Sequence, residues 1–138
     1  MAADPNLLAA FDKAYDWFNQ HNFTEQSWAQ TMDGLLDDNV KMKKLDDPGY
    51  HEGKAAVKNY YLNGNGLRDQ ASIAFRNKDC QIVGNLGFIS GLADFVDLDG
   101  TNHTPPSRPR LIAYSFTYSK ASGSWKAVHF WGAYVTPR

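Results

Sequence analysis

Arg110-Leu111-Ile112-Ala113-Tyr114-Ser115-Phe116-Thr117-Tyr118, a link from Ser119 to Ser124, then Trp125-Lys126-Ala127-Val128-His129-Phe130-Trp131 is the stretch that decides the fold. Two runs dense in β-branched and aromatic residues flank a Lys/Ser/Gly turn, which is the pattern of a long β-hairpin. By alternation, Leu111, Ala113, Ser115 and Thr117 share one face of the first strand, and Ile112, Tyr114, Phe116 and Tyr118 share the other. In the second strand Ala127, His129 and Trp131 oppose Val128, Phe130 and Gly132. Neither strand has a polar face, so the hairpin is expected to be covered on both sides. Helices can supply one cover; the other needs a partner subunit or more of the chain.

Working outward, the residues before this hairpin alternate between helical and extended patterns. Asp4-Pro5 precedes Leu7, Leu8, Phe11, Ala14, Tyr15 and Phe18 at three- and four-residue steps, so a first helix is expected over Pro5 to Gln20. His21-Asn22 breaks it. Thr24 to Met32 reads as a second helix, Val40 to Leu45 as a short strand, and Gly53 to Leu62 as a third helix packing through Ala56, Val57, Tyr60 and Tyr61. After Asn63-Gly64-Asn65-Gly66 the pattern is β: Ala71 to Phe75, Gln81 to Phe95, Arg110 to Tyr118 and Trp125 to Thr136. Gly84, Gly87 and Gly91 inside one run mark bends or close backbone approach. Asp46 to Gly49 reads as a turn, and Asp99 to Pro109, with three prolines, as an exposed loop. Helices first and strands after argue an α+β fold: a curved antiparallel sheet wrapped around a long N-terminal helix and two shorter ones. The hollow between helix and sheet is a natural apolar pocket.

Composition removes several function classes. At 138 residues the chain is one domain, able to bury roughly 68–70% of its unfolded surface. A net charge of −1 gives no basic field for nucleic acid or an anionic membrane. Cys80 is the single cysteine, and no Cys/His spacing points to zinc. No charged leader and no apolar run of spanning length is present, which leads us to expect a soluble, cytoplasmic protein without a metal or cofactor.

Three local motifs resemble the nuclear-transport-factor-2-like superfamily, which includes ketosteroid isomerase, scytalone dehydratase, SnoaL-like cyclases and the association domain of calcium/calmodulin-dependent protein kinase. They are Leu35-Leu36-Asp37-Asp38-Asn39-Val40, the helix Gly53 to Tyr61, and the final strand Gly123-Ser124-Trp125-Lys126-Ala127-Val128-His129-Phe130. The resemblance runs over nearly the whole chain, residues 1–138. It implies a cystatin-like α+β cone, a homodimer through the outer sheet face or a larger ring built by the same sheet-to-sheet packing, and a pocket for a small hydrophobic molecule.

The catalytic residues of that superfamily are largely missing. The isomerase base position falls on Met42 or Lys43, and its donor acid falls near Ala113; Tyr15 lies within one residue of the helix-1 tyrosine. A dehydratase-like histidine is replaced by Ala71, despite faint similarity at Leu67-Arg68-Asp69-Gln70. No Arg-x-Asp pair of the epoxide-hydrolase type occurs, and the pocket arginines of the association domain fall at about Ser115 and Gly132.

Two catalytic candidates remain. Tyr15 can donate a hydrogen bond to a ligand oxygen, or be plain core of an apolar stripe. Asp94, a lone carboxylate between apolar neighbours, can be a pocket acid with a raised pKa, or sit exposed near a strand end. His129 shares a parity with Trp131 toward the expected dimer face; His51 reads as a rim or turn residue and Arg110 as a surface or interface charge. Because Ala113, Ser115 and Thr117 are smaller than Tyr114, Phe116 and Tyr118, we expect the small row to face helix 1 and leave room for a ligand. Phe11, Phe18, Val128 and Phe130 would complete the pocket, with the aromatic row at the dimer interface. Two functions stay open: a ligand-binding protein with cofactor-independent isomerase, dehydratase or cyclase chemistry, and a non-catalytic binding or oligomerisation domain.

Overall fold

A computed structural model describes residues 4–43, 49–63, 71–97 and 111–134. Helix α1 spans Pro5–Gln20, with Pro5 in its first turn and Asp4 as its cap. The Asp4 carboxylate accepts from the Asn6 amide at 2.8 Å and from the Trp125 indole at 3.2 Å, so one residue starts the helix and ties it to the last hairpin. Leu7, Phe11, Trp17 and Phe18 are buried on one side. His21 ends α1 in the left-handed region, φ 55°, its amide donating to Phe18.

The second helix starts where expected but does not stay regular. Thr24 and Ser27 form a reciprocal cap over α2, Glu25–Ser27. The chain then widens into a π turn, Trp28–Met32, and tightens into a 3₁₀ turn, Asp33–Leu35. The π turn swings Trp28 and Met32 inward together, and both are buried. Strand β1, Leu36–Lys43, begins four residues earlier than the expected Val40, and a short strand β2, Tyr50–Glu52, pairs with it. Helix α3 covers Lys54–Asn63.

Five more strands follow: β3 Ala71–Phe75, β4 Asp79–Val83, β5 Leu86–Asp97, β6 Leu111–Ser119 and β7 Lys126–Tyr134. The run expected as one strand, Gln81 to Phe95, is thus a hairpin turning at Gly84-Asn85, with Gly84 at φ 60° and Val83 opposite Leu86. The expected turn at Asp46 to Pro48, the stretches Gly64 to Gln70 and Asp99 to Arg110, and the end of the last strand lie outside the described residues.

The strands form one curved, open sheet in the order β2-β1-β7-β6-β5-β3, with β4 on the same edge of β5 as β3. The expected all-antiparallel sheet needs correction. β1 runs parallel to β7, pairing Leu36 with Ala127 and Met42 with Phe130, so the sheet is mixed. The α+β class and the wrapping of the sheet around α1 hold.

The facing of the closing hairpin is the reverse of the expectation. Ile112, Tyr114, Phe116 and Tyr118 are buried toward α1, while Ala113 and Thr117 are half-buried and Ser115 is exposed on the far side. Size decides this: each aromatic ring removes far more apolar area from water than an alanine or serine, so the bulky row takes the dry side. Phe11 of α1 meets Phe116 edge-on at 5.3 Å and Tyr114 at 5.9 Å. Simple alternation also fails in β7. Thr117 pairs with His129 and Tyr118 with Ala127, leaving Val128 as an extra residue in a β-bulge. Ala127 and Phe130, three apart, therefore both face inward, and Phe130 stacks on Phe116 at 4.9 Å.

Candidate functional site

The cavity at the centre of the cone lies between α1, the π and 3₁₀ turns, α3 and strands β1, β6 and β7. Tyr15, Trp17 and Phe18 project from α1, Tyr61 from α3, and Phe116, Tyr118 and Phe130 from the sheet. Met32, Leu35 and Leu36 close the remaining side. Its free space accommodates water centres over about 10 Å³, which is the size of a single water molecule. Around it the rings pack at their edges, Trp17 against Tyr61 at 5.6 Å and Phe18 against Tyr61 at 6.0 Å.

Among the described residues, the polar groups of this lining are three phenols and the Trp17 indole, which donates to Ser27 at 3.1 Å. Burial, with smaller contributions from Tyr61, Tyr118, Tyr114 and Tyr60, holds the Tyr15 hydroxyl well above the ordinary tyrosine range. As a whole residue Tyr15 is half-buried. Burial likewise pushes Tyr61 and Tyr118 up. All three stay neutral at physiological pH and act as hydrogen-bond donors or acceptors, not as bases. Among the described residues, nothing lies within hydrogen-bond reach of the Tyr61 or Tyr118 hydroxyl. Nearby, the Trp28 indole N–H, on a side chain 1% exposed, also has no partner among them. Among the described residues, no carboxylate, histidine or cationic side chain lines the cavity. Among the described residues, no cluster of three His, Cys, Asp or Glu side chains could hold a metal ion.

Of the residues expected to carry chemistry, Tyr15 is in the cavity and Asp94 is not. Ala93 is fully buried under the sheet, so its neighbour Asp94 points to the outer face, beside Ala74 and Leu111. There it accepts two hydrogen bonds from Arg76, at 2.8 and 2.9 Å. The bidentate pair raises the Arg76 guanidinium above its ordinary value, first through the hydrogen bonds and then through the carboxylate charge. The sheet stands between Tyr15 and Asp94, so they cannot act on one substrate. Phe18 and Phe130 line the cavity, and Phe11 is buried beside it in the aromatic cluster. Ala113, Ser115 and Thr117 lie on the opposite face, and Val128 is carried away from the cavity by the bulge.

Trp17, Tyr61 and Tyr118 were not singled out as site residues. Signals for Tyr61 and Tyr118 were present, in the packing side of helix α3 and the aromatic row of β6, but gave no sign that they converge; Trp17 falls outside the apolar spacing read for the first helix. Arg76 carried no signal at all, since its partner stands 18 residues away.

No protein-family model matches the chain, and no curated protein matches it. Solved structures do. The CaMKII hub of S. rosetta superposes with a TM-score of 0.69 at 18% identity, covering 98% of this chain and all of that one. A candidate ketosteroid isomerase from Shewanella frigidimarina gives 0.71 at 13% identity over 94% of this chain and 95% of that one. A nuclear-transport-factor-2-like protein from Cytophaga hutchinsonii gives 0.69 at 12% identity over 98% of this chain and all of that one. At such identities the likeness speaks for the backbone alone: the chain has the cone fold shared by nuclear-transport-factor-2-like proteins and kinase hub domains.

Proposed function

We propose that this chain is a non-catalytic binding and assembly domain, a soluble, cytoplasmic, single-domain protein that pairs with a second copy through the outer face of its sheet. The observation that carries the non-catalytic reading is the cavity lining. Proton-transfer chemistry needs a group that changes protonation near neutral pH within reach of the substrate. Three phenols held neutral by burial do not meet that need. What they fit is a small, neutral, mostly apolar molecule with one hydrogen-bond acceptor, admitted when the rings part. No acidic ligand is favoured, because among the described residues no cation faces the space.

The pairing rests on the other side of the sheet. Phe88, Leu92, Leu111 and Val128 are half-buried there and Trp131 is 37% exposed, an apolar patch that the described helices leave uncovered. Hub domains among the structural neighbours are assembly modules by their name, which accords with this use of the fold. A net charge of −1 offers little repulsion between two copies.

Light scattering on the eluting protein tests the assembly: the expected mass is twice 15.5 kDa, reduced to one chain by Trp131→Glu with the circular dichroism unchanged. A wild-type monomer at micromolar concentration refutes it. Isomerisation of an unsaturated ketosteroid above the buffer rate, abolished by Tyr15→Phe, would replace the non-catalytic reading with an enzymatic one.

A further inference from the structure

One row of side chains crosses the entire outer face. Through the strand register, Gln81 of β4 stands beside Phe88 of β5, then Thr117 of β6, His129 of β7, Lys41 of β1 and Glu52 of β2. The bulge at Val128 is what sets His129 in this row, since strict alternation from buried Ala127 would carry the next outward position elsewhere. His129 therefore occupies the middle of the face, half-buried, with exposed Trp131 two residues on.

Its register partners in this row, Lys41 and Thr117, are cationic and neutral. The Tyr50 ring of β2 lies 5.7 Å from the imidazole, and the Lys41 ammonium sits 5.7 Å over the same Tyr50 ring. Thr117 on the β6 side is uncharged. The nearest acid in the row, Glu52, is two strands away and engaged with Lys41 at 3.9 Å. Among the described residues, no carboxylate pairs with His129 itself. Histidine is the side chain that ordinarily gains a charge between pH 8 and pH 5. A proton added here places a second cation beside Lys41, on a surface that must shed water to associate.

We propose that self-association through this face is controlled by protonation of His129: the neutral imidazole permits pairing and the imidazolium opposes it. This rests on the pairing proposed above and adds its regulation. In a two-fold pair each copy contributes its own His129, so the effect counts twice. An interface favouring the neutral form by about tenfold per copy weakens by about a hundredfold once both are protonated. About tenfold is the smallest change expected.

Sedimentation equilibrium at about pH 8 and about pH 5.5 tests this, on wild type, His129→Gln and Lys41→Met, each checked for native circular dichroism at both values. The wild-type dimer dissociation constant should rise at least about tenfold on acidification, His129→Gln should stay within about twofold, and Lys41→Met should fall between them. A wild type that is monomeric already at pH 8 overturns the interface and the switch with it. A dimer equally tight at both pH values overturns the switch alone. So does a His129→Gln variant that keeps the wild-type pH dependence.

Discussion

Gly91→Ala should be among the most damaging single-methyl additions in this protein, and the reason is local. A β-carbon at Gly91 would press into the backbone carbonyl oxygen of Asn77 and reach 2.9 Å from its side-chain oxygen. Neither can simply move aside. The Asn77 carbonyl accepts from the Tyr114 hydroxyl, and its side-chain oxygen accepts from the Leu92 amide at 3.0 Å. The adjacent Arg76 amide donates to Leu92 at 2.9 Å, so the crossing from β3 to β4 is laced onto β5. Overpacking costs about 1–3 kcal/mol. Loss of the two Asn77 bonds adds about 1 kcal/mol each, for a total of about 3–5 kcal/mol. Against a typical stability of about 5–15 kcal/mol, urea unfolding should show a large drop in midpoint. Gly34→Ala, where nothing lies within 4 Å of the new carbon, is the matched control and should stay within about 1 kcal/mol of wild type. The sharper check is a double-mutant cycle with Tyr114→Phe. If Gly91→Ala has already broken the Tyr114 bond, the second substitution adds little. Full additivity, or a Gly91→Ala variant within about 1 kcal/mol of wild type, refutes the reasoning.

Asn19 gives a second case: its amide donates to the Ile73 carbonyl and accepts from the Ile73 amide, both at 2.9 Å, standing in for a neighbouring strand at the β3 edge. Asn19→Ala should cost about 2 kcal/mol, accelerate hydrogen exchange at the Ile73 amide and promote aggregation; an unchanged exchange rate would contradict this role. The buried phenols predict a delayed alkaline titration. Tyr114 is pushed up to about 12, by burial and then by Asp79 and Asp12, while Tyr15, Tyr61 and Tyr118 are raised further. Because the folded state favours the protonated form, their contribution to stability is complete below pH 10, the ordinary tyrosine value, and is lost as pH climbs toward and beyond 12. Absorbance at the phenolate band should therefore rise in two stages, the second coinciding with loss of tertiary circular dichroism. A single step at pH 10 with the fold intact would refute it.

What could be read in the residues, and what could not, divides along physical lines. Local signals worked where the determinant is local: Asp4-Pro5 and the three-four spacing place α1 at its observed bounds, and the aromatic runs place β6 and the start of β7 within a residue. Parity along β6 was legible too, but not its sign. Choosing the small row for the pocket assumed that a cone needs empty space, whereas the sheet buries its largest rings and leaves room for about one water. Periodicity then misled in β7, because an extra residue at Val128 shifts the alternation and is visible only through the partner strand. The parallel pairing of β1 with β7 joins segments some 90 residues apart, a separation that no local pattern encodes. The site follows the same rule. Tyr15, Tyr61 and Tyr118 lie on three elements, and only the fold brings their hydroxyls to one space. Asp94, the most suggestive single residue, lost its catalytic reading to Arg76, because a carboxylate in a strand has two faces to choose from. Here the ion pair and the solvent lie on one side and a fully buried Ala93 marks the other. An acid that has an arginine within hydrogen-bond reach on the wet side will not be spent in a dry cavity, where its charge would have to be neutralised.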